Sequence, residues 1–316
     1  MISEPDDRPA GPFSANGARV DAAQALHRAI IRTMVYADVF DYPLTAAEIH
    51  RYLVGVRASP AEVQNGLREL WAAGRLLYED ETYALPGRGS IIETRRRRAA
   101  VASQMWPRAL RYGRWLGQLP FTRMVAVTGA LAVDNVEPGA DIDYLLVTEP
   151  GRLWLCRALS LVLVRWAARR GDIICPNYLL STRALVFMER TLYTAHELTQ
   201  MTPVAGSAVY RQMRELNRWS AEFLPNAEGR PRPSLPLYDD RHPFLAAAEA
   251  ALRTPLGTPL ERWEMGRKVR RLSQQGQGNG EAAFAADWCK GHFDQHGLHT
   301  ERAYAERLRQ IEPPTP

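Results

Sequence analysis

Cysteine is scarce: Cys156, Cys175 and Cys289 are the only three in 316 residues, and they lie far apart with no paired spacing. That excludes a disulfide framework and suits a reducing compartment, so a cytoplasmic protein is expected. Long apolar runs are also missing. The most membrane-like stretch, Leu153 to Ala168, is too short for a span and is interrupted by Arg157 and Arg165. It reads as a helix covering a sheet between two strands, and no membrane partner is expected. Residues 1–20 have no basic segment leading into an apolar one; acidic at first and then rich in Pro, Gly and Ala, they are expected to be disordered rather than to form a secretion signal. No internal repeat is apparent.

Zinc motifs are missing as well. His196-Glu197 would need a second histidine four residues after His196, and that position is Gln200. Cys289, His292, His296 and His299 have suggestive spacing, but Gly291 and Gly297 interrupt the helix that would align them. A lone thiolate there makes zinc an unexpected ligand.

What the chain does have is an ordinary globular balance, 46% hydrophobic and 24% charged, enough for two or three domains. The formal charge of +5 suits phosphate-bearing ligands without requiring nucleic acid. The basic residues are clustered: Arg95 to Arg98 form a run, Arg108, Arg111 and Arg114 follow at helical spacing, and Arg267, Lys268, Arg270 and Arg271 group farther on. Consecutive arginines on a helix point all round it, so the run reads mainly as a solvated face, with one or two of them free to meet an anion.

The N-terminal part has a legible order. Ala25 to Tyr36 carries apolar residues at helical spacing, and Asp41-Tyr42-Pro43 breaks that helix. Thr45 to Glu48 and Ser59 to Glu62 are capping boxes that open two further helices. The third helix places Val63, Leu67, Leu70 and Trp71 on one face and stops at Gly74. Arg75 to Glu79 and Thr82 to Leu85 then read as a hairpin around Asp80-Glu81. Three helices and a hairpin resemble a winged helix-turn-helix domain. The outward residues of its third helix, Glu62, Gln64, Asn65, Arg68 and Glu69, are near neutral. DNA binding is therefore possible but not favoured over a protein-interaction or substrate-presenting role.

The most informative stretch is Met124 to Thr148. A short apolar run ends in Gly129-Ala130, and a second opens with Asp141-Ile142-Asp143. Aspartate is depleted from strands, and a buried carboxylate must be paired or must hold a cation. Residues i and i+2 of a strand face the same way, so Asp141 and Asp143 project together. Turn chemistry after Pro138-Gly139 accounts for Asp141 but not for Asp143, which leads an unbroken apolar run. Gly129 lets the backbone turn sharply, and a helix starting at Ala130 or Leu131 would offer free N–H groups to a phosphate.

A glycine turn, a spacer of this length and then Asp-apolar-Asp resembles the signature of the polymerase-β-like nucleotidyltransferase superfamily, over roughly residues 120–180. The resemblance implies that Asp141 and Asp143 are catalytic, binding Mg²⁺ or Mn²⁺, and that Gly129 and Ala130 hold the nucleotide triphosphate. It implies transfer of a nucleoside monophosphate from an NTP to a hydroxyl of an unidentified acceptor, a small molecule, protein or RNA, with release of pyrophosphate. Ala130 departs from the Ser or Gly usual at its position. A third carboxylate is usual on a later strand; in Asp172 to Leu180 that place holds Asn177, Asp172 is the only local acid, and His196 could lie near the nucleotide.

The expected class is α+β, with a mixed sheet. The expected layout is a disordered segment (1–20), a winged-helix-like domain (21–88), a connecting helix (89–118), a nucleotidyltransferase core (119–226) and a helical C-terminal region (227–316). Ala130 and Asn177 also leave room for a catalytically weakened nucleotide-binding module, and the N-terminal pattern for a DNA-binding regulator that uses the second fold as scaffold.

Overall fold

The computed structural model describes residues 12–253, 258–259, 261–267, 283–284, 286–290 and 296–311. The architecture is α+β, built on a three-stranded and a six-stranded sheet.

Helix α1 (Pro12–Asp38) leads into β1 (Leu44–Thr45), α2 (Ala46–Arg51) and α3 (Pro60–Ala72). Both capping boxes form: the Thr45 and Ser59 hydroxyls accept from the Glu48 and Glu62 amides, and the glutamates reach back to the cap N–H groups. The hairpin of β2 (Leu77–Glu79) and β3 (Thr82–Ala84) turns through Asp80 and Glu81, with φ of 50° and 59°. Both positive angles match the right-handed twist of the strands. Strand β1 adds to β3 on the other side. Ile30, Val35, Ile49, Leu53 and Leu67 fill the core of this unit.

Two expectations change here. Residues 12–20, expected to be disordered, are helical: Pro12 suits a first helical position, and the helix propagates outward from the part packed in the core. Trp71, assigned to the buried face of α3, is 53% exposed and meets Tyr78 edge-on.

The long helix α4 (Ser90–Gly117) runs on to the six-stranded sheet, order β7-β4-β5-β6-β9-β8, whose edge strand β7 is Thr202–Ala205. Strands β4 (Thr122–Val127) and β5 (Ile142–Thr148) are antiparallel, and β5 and β6 (Ile174–Ser181) are parallel, joined by α6 (Leu153–Ala168). Between β4 and β5 lies the one-turn helix α5 (Gly129–Ala132). Alternation along β5 sends Ile142, Tyr144 and Leu146 into the core beneath α4 and α6, and Leu145 and Val147 into the opposite core. That opposite face is covered by α7 (Leu192–Gln200), α8 (Ser207–Leu216) and α9 (Ser220–Phe223), and Tyr36 and Tyr52 of the N-terminal unit join it.

Residues 207–223 form two helices, α8 and α9, and not one. Asn217 separates them: its buried side chain accepts from the Phe187 amide and the Trp219 indole and donates to the Leu185 and Met213 carbonyls, which ties the 185–187 loop to the helix end.

The C-terminal region is not purely helical. After α10 (Phe244–Leu252) and a helical stretch at 261–267 come β8 (Ala283–Phe284) and β9 (Trp288–Lys290), then α11 (His296–Ile311), and β9 pairs with β6 and covers an otherwise open strand edge. Such short strands carry no period to read. This region is also wired into the sheet. The Glu249 carboxylate accepts from the Phe121 amide and from Arg123 and Arg241, and Glu261 caps α6 by accepting from the Trp154 and Leu155 amides. The Gln- and Gly-rich stretch Gln274 to Gly280, which from sequence is expected to interrupt the C-terminal helices, lies outside the described residues. No helix among the described residues is long and apolar enough to cross a membrane.

Candidate functional site

Strand β4 ends at Val127, and the Thr128 amide donates to the Asp143 carbonyl at 3.0 Å, so the turn leaves the sheet directly over the start of β5. Gly129 takes φ +65°, and a Cβ built there would stand 2.6 Å from Asp143 Oδ2. No other residue fits: both the backbone angle and the carboxylate beneath exclude a side chain. Helix α5 begins at Gly129 itself, a residue earlier than expected, and is only one turn long. The loop after it is pinned by Asp134, which accepts from the Trp106 indole at 2.7 Å and from Arg232 at 2.5 Å.

Asp141 is exposed just before β5, and Asp143, the second residue of the strand, is partly buried. In the parallel pairing, Asp143 stands opposite Cys175 of β6. Donor atoms of Asp141, Asp143 and Cys175 lie within 4.8 Å of one another. Asn177 donates through Nδ2 to Asp143 Oδ1 at 2.7 Å, which holds one carboxylate oxygen and fixes the side chain. Among the described residues, neither aspartate has a cationic side chain at ion-pair distance. Burial, then the charges of Asp141 and Glu197, push Asp143 up to about 7. Burial, followed by the Asp143 and Asp141 charges, pushes the Cys175 thiol up to about 12.

Asp143 opens onto a cavity of about 630 Å³ between the N-terminal unit and the six-stranded sheet. Gly129, Ala130, Asn177 and Glu197 line it from the sheet side; Tyr36, Tyr42 and Arg51 line it from the N-terminal side. The Arg51 guanidinium donates to the Glu228 and Gly229 carbonyls at 2.8 and 3.1 Å, and among the described residues it has no carboxylate at ion-pair distance.

The other candidates are placed differently. Asp172 does not line the cavity: it accepts from Arg108 at 2.7 Å and from the Tyr112 hydroxyl at 2.5 Å, turned toward α4. The strand starts only at Ile174, so the alternation that aims Asp143 does not act on Asp172. His196 reaches the cavity wall as a packing group. It is buried, stacked on Tyr36 at 3.9 Å, and its Nδ1 is bonded to the Leu192 carbonyl at 3.0 Å. Burial pulls it down to about 4, which keeps the ring neutral. The arginine run is largely structural. Arg95 pairs with Glu48 at 2.8 Å and lies over Tyr42, Arg96 pairs with Asp80 and Glu93, and Arg98 pairs with Glu137 at 2.6 Å.

Two residues escaped the reading of the sequence. Cys175 is the second residue of β6 as Asp143 is of β5, and an in-register parallel pairing was the signal that could have joined them. Glu197 was weighed only as part of a failed zinc motif, yet α7 brings it to the cavity. Of the Cys289 to His299 group, His296 lines the cavity, Cys289 is buried in β9 and His292 lies outside the described residues. Compared with known proteins, the chain matches no family model, no curated protein and no solved structure.

Proposed function

We propose that the cavity is the active site of a metal-dependent nucleotidyltransferase of the polymerase-β-like kind, which transfers a nucleoside monophosphate from an NTP to a hydroxyl acceptor and releases pyrophosphate. The observation that carries this reading is the Gly129 turn closed over Asp143: a bare backbone, a partly buried carboxylate with no cationic partner among the described residues, and open space beside both. The order strand, glycine turn, antiparallel strand with its aspartate pair, helix and parallel strand supports it.

Asp141 and Asp143 would hold Mg²⁺ or Mn²⁺, and the cradle fits: the carboxylate repulsion at Asp143 is relieved by a cation, and a Cβ at Gly129 would fill the approach. A bound ion supplies charge neutralisation for the phosphates and activation of the attacking hydroxyl. The chain's own residues do the rest. Asn177 fixes the Asp143 rotamer, the first N–H groups of α5 have no partner inside a single helical turn, and Glu197 takes the third acidic role that Asn177 cannot fill. Tyr36, Tyr42 and Arg51 make the winged-helix-like unit a wall of the substrate cavity. The near-neutral outer face of α3 suits that role better than reading DNA.

The test is a panel of NTPs and acceptors with Mg²⁺ or Mn²⁺, followed by pyrophosphate release. Release that disappears in Asp141→Ala and Asp143→Ala supports transfer. Asp143-dependent NTP binding without release selects a nucleotide-binding module instead, a second reading favoured by Asn177 at the third acidic position. Duplex binding that survives both substitutions, with no NTP binding, overturns both.

A further inference from the structure

Beside Asp143, where that carboxylate meets the cavity, lies a donor that nucleotide chemistry on hard oxygen ligands does not call for. Cys175 is level with Asp143 across the β5–β6 pairing, so the pleat turns both side chains to the same face. Its sulfur belongs to the same group of donor atoms, within 4.8 Å, as the Asp141 and Asp143 carboxylates. The other cysteines are spent on packing: Cys156 is buried beside Phe121 and Leu155, and Cys289 lies in the core beneath α4 and α6.

Two further features keep this place open to a ligand. Asn177 occupies Asp143 Oδ1, leaving Oδ2 as the oxygen that meets the glycine turn. At that turn only Gly129 leaves room, since a Cβ would stand 2.6 Å from Oδ2.

We propose that Cys175 is a third protein ligand to the cation held by Asp141 and Asp143, so that the site is a mixed oxygen–sulfur centre that also takes Zn²⁺ or Co²⁺, and holds them more tightly than the two carboxylates alone would. The inference rests on the proposed cation role of the two aspartates and goes beyond it in naming the ligand and the class of ion. Mg²⁺ demands hard oxygen donors and gains nothing from sulfur, whereas a thiolate strengthens binding of borderline ions. The sulfur binds as thiolate, its proton passing to solvent as the metal–sulfur bond forms.

The experiment is a titration of the metal-free full chain with Co²⁺, without nucleotide, read by the near-ultraviolet sulfur-to-cobalt charge-transfer band. A parallel Mn²⁺ titration is read by loss of the free-ion paramagnetic signal. The expected result is a band that saturates at one Co²⁺ per chain, is absent in Cys175→Ser, and persists in Cys156→Ser and Cys289→Ser. Cys175→Ser should weaken Zn²⁺ binding by about tenfold or more, the scale on which even outer-shell losses act, and leave Mn²⁺ binding nearly unchanged. Cys175→Ala provides a second variant if the serine disturbs the strand. Mn²⁺ binding that depends on Asp143 with no cobalt–sulfur band overturns the role of Cys175 and leaves the aspartate site standing. Absence of binding by both ions overturns the cation reading itself, and the inference with it.

Discussion

Asp143 and Asp172 stand near the starts of neighbouring parallel strands, and their surroundings are opposite. Asp172 has two arginines and a tyrosine hydroxyl around it, with Arg108 at 2.7 Å and Arg111 at 3.9 Å. Burial alone would raise its carboxyl, but the hydrogen bonds from Tyr112 and Arg108 bring it below the ordinary carboxylate value. Asp143 is given an amide and the like charges of Asp141 and Glu197, and with its burial it rises. The fold supplies cations to one carboxylate and leaves them out around the other. A group that destabilises the protein carrying it is more economically explained by a ligand than by the fold.

The largest expected effect tests the structural half of this contrast. Asp172→Ala strands the buried Tyr112 hydroxyl and unpairs Arg108, which is 41% exposed and recovers part of its hydration. The expected loss is about 2–3 kcal/mol in urea denaturation, with Mn²⁺ affinity unchanged in the folded protein. Loss of Mn²⁺ binding in a folded Asp172→Ala variant would break the comparison.

Asp143→Asn tests the other half and has the opposite sign. The folded carboxyl titrates near 7 and its reference value is 3.8, so between these the folded state holds more protons than the unfolded one. Stability of the metal-free protein therefore falls as pH rises through that window. The amide keeps the acceptor for Asn177 and removes the slope. At pH 8 the variant should be more stable by about 2 kcal/mol, half of the ceiling set by about 1.4 kcal/mol per pKa unit, with the gap closing at about pH 4. Pyrophosphate release should be lost in the same variant. A variant less stable than the parent at pH 8 would show that Asp143 is structural.

Gly129→Ala follows in size. A positive φ and a Cβ 2.6 Å from Asp143 Oδ2 should cost about 1–2 kcal/mol and displace the carboxylate. Mn²⁺ and NTP binding should fall together. If Asp143→Ala, which removes the carboxylate, stabilises Gly129→Ala by more than it stabilises the parent, the steric clash carries the cost; if not, the backbone angle does.

Much of this contrast was legible in the sequence, and its limits have a physical cause. Caps and apolar runs placed the starts of α2 and α3 and the span of α6 nearly to the residue, because those signals are local: Thr45 and Glu48, or Ser59 and Glu62, lie within one helical turn. The Asp143 and Gly129 geometry was likewise readable, since two-residue alternation and a glycine turn are chain-neighbour properties. What could not be read depends on distant pairing. Asp172 looked like a spare acid because its partners come from α4, Arg108 and Tyr112, and nothing beside it in the chain names them. Cys175 joins Asp143 through strand register, Glu197 arrives on a helix after the next strand, and β9 needs an edge to exist before its residues have any preference for it.

The smallest effect sharpens the comparison most directly. Asn177→Asp replaces the donor that steadies Asp143 with another carboxylate, turning a hydrogen bond of 2.7 Å into a repulsion. In the metal-free protein at pH 8 this should cost about 1 kcal/mol or less, because the half-buried pair can share a proton or turn apart. With a divalent ion present the sign should reverse, since added ligand charge tightens cation binding, and the melting temperature should rise with ion concentration more steeply than in the parent. Thermal melts across a Mn²⁺ series read both terms. Were Asp143 a second Asp172, a structural acid, the substitution would destabilise the protein equally with and without the ion, and the two melting series would run parallel.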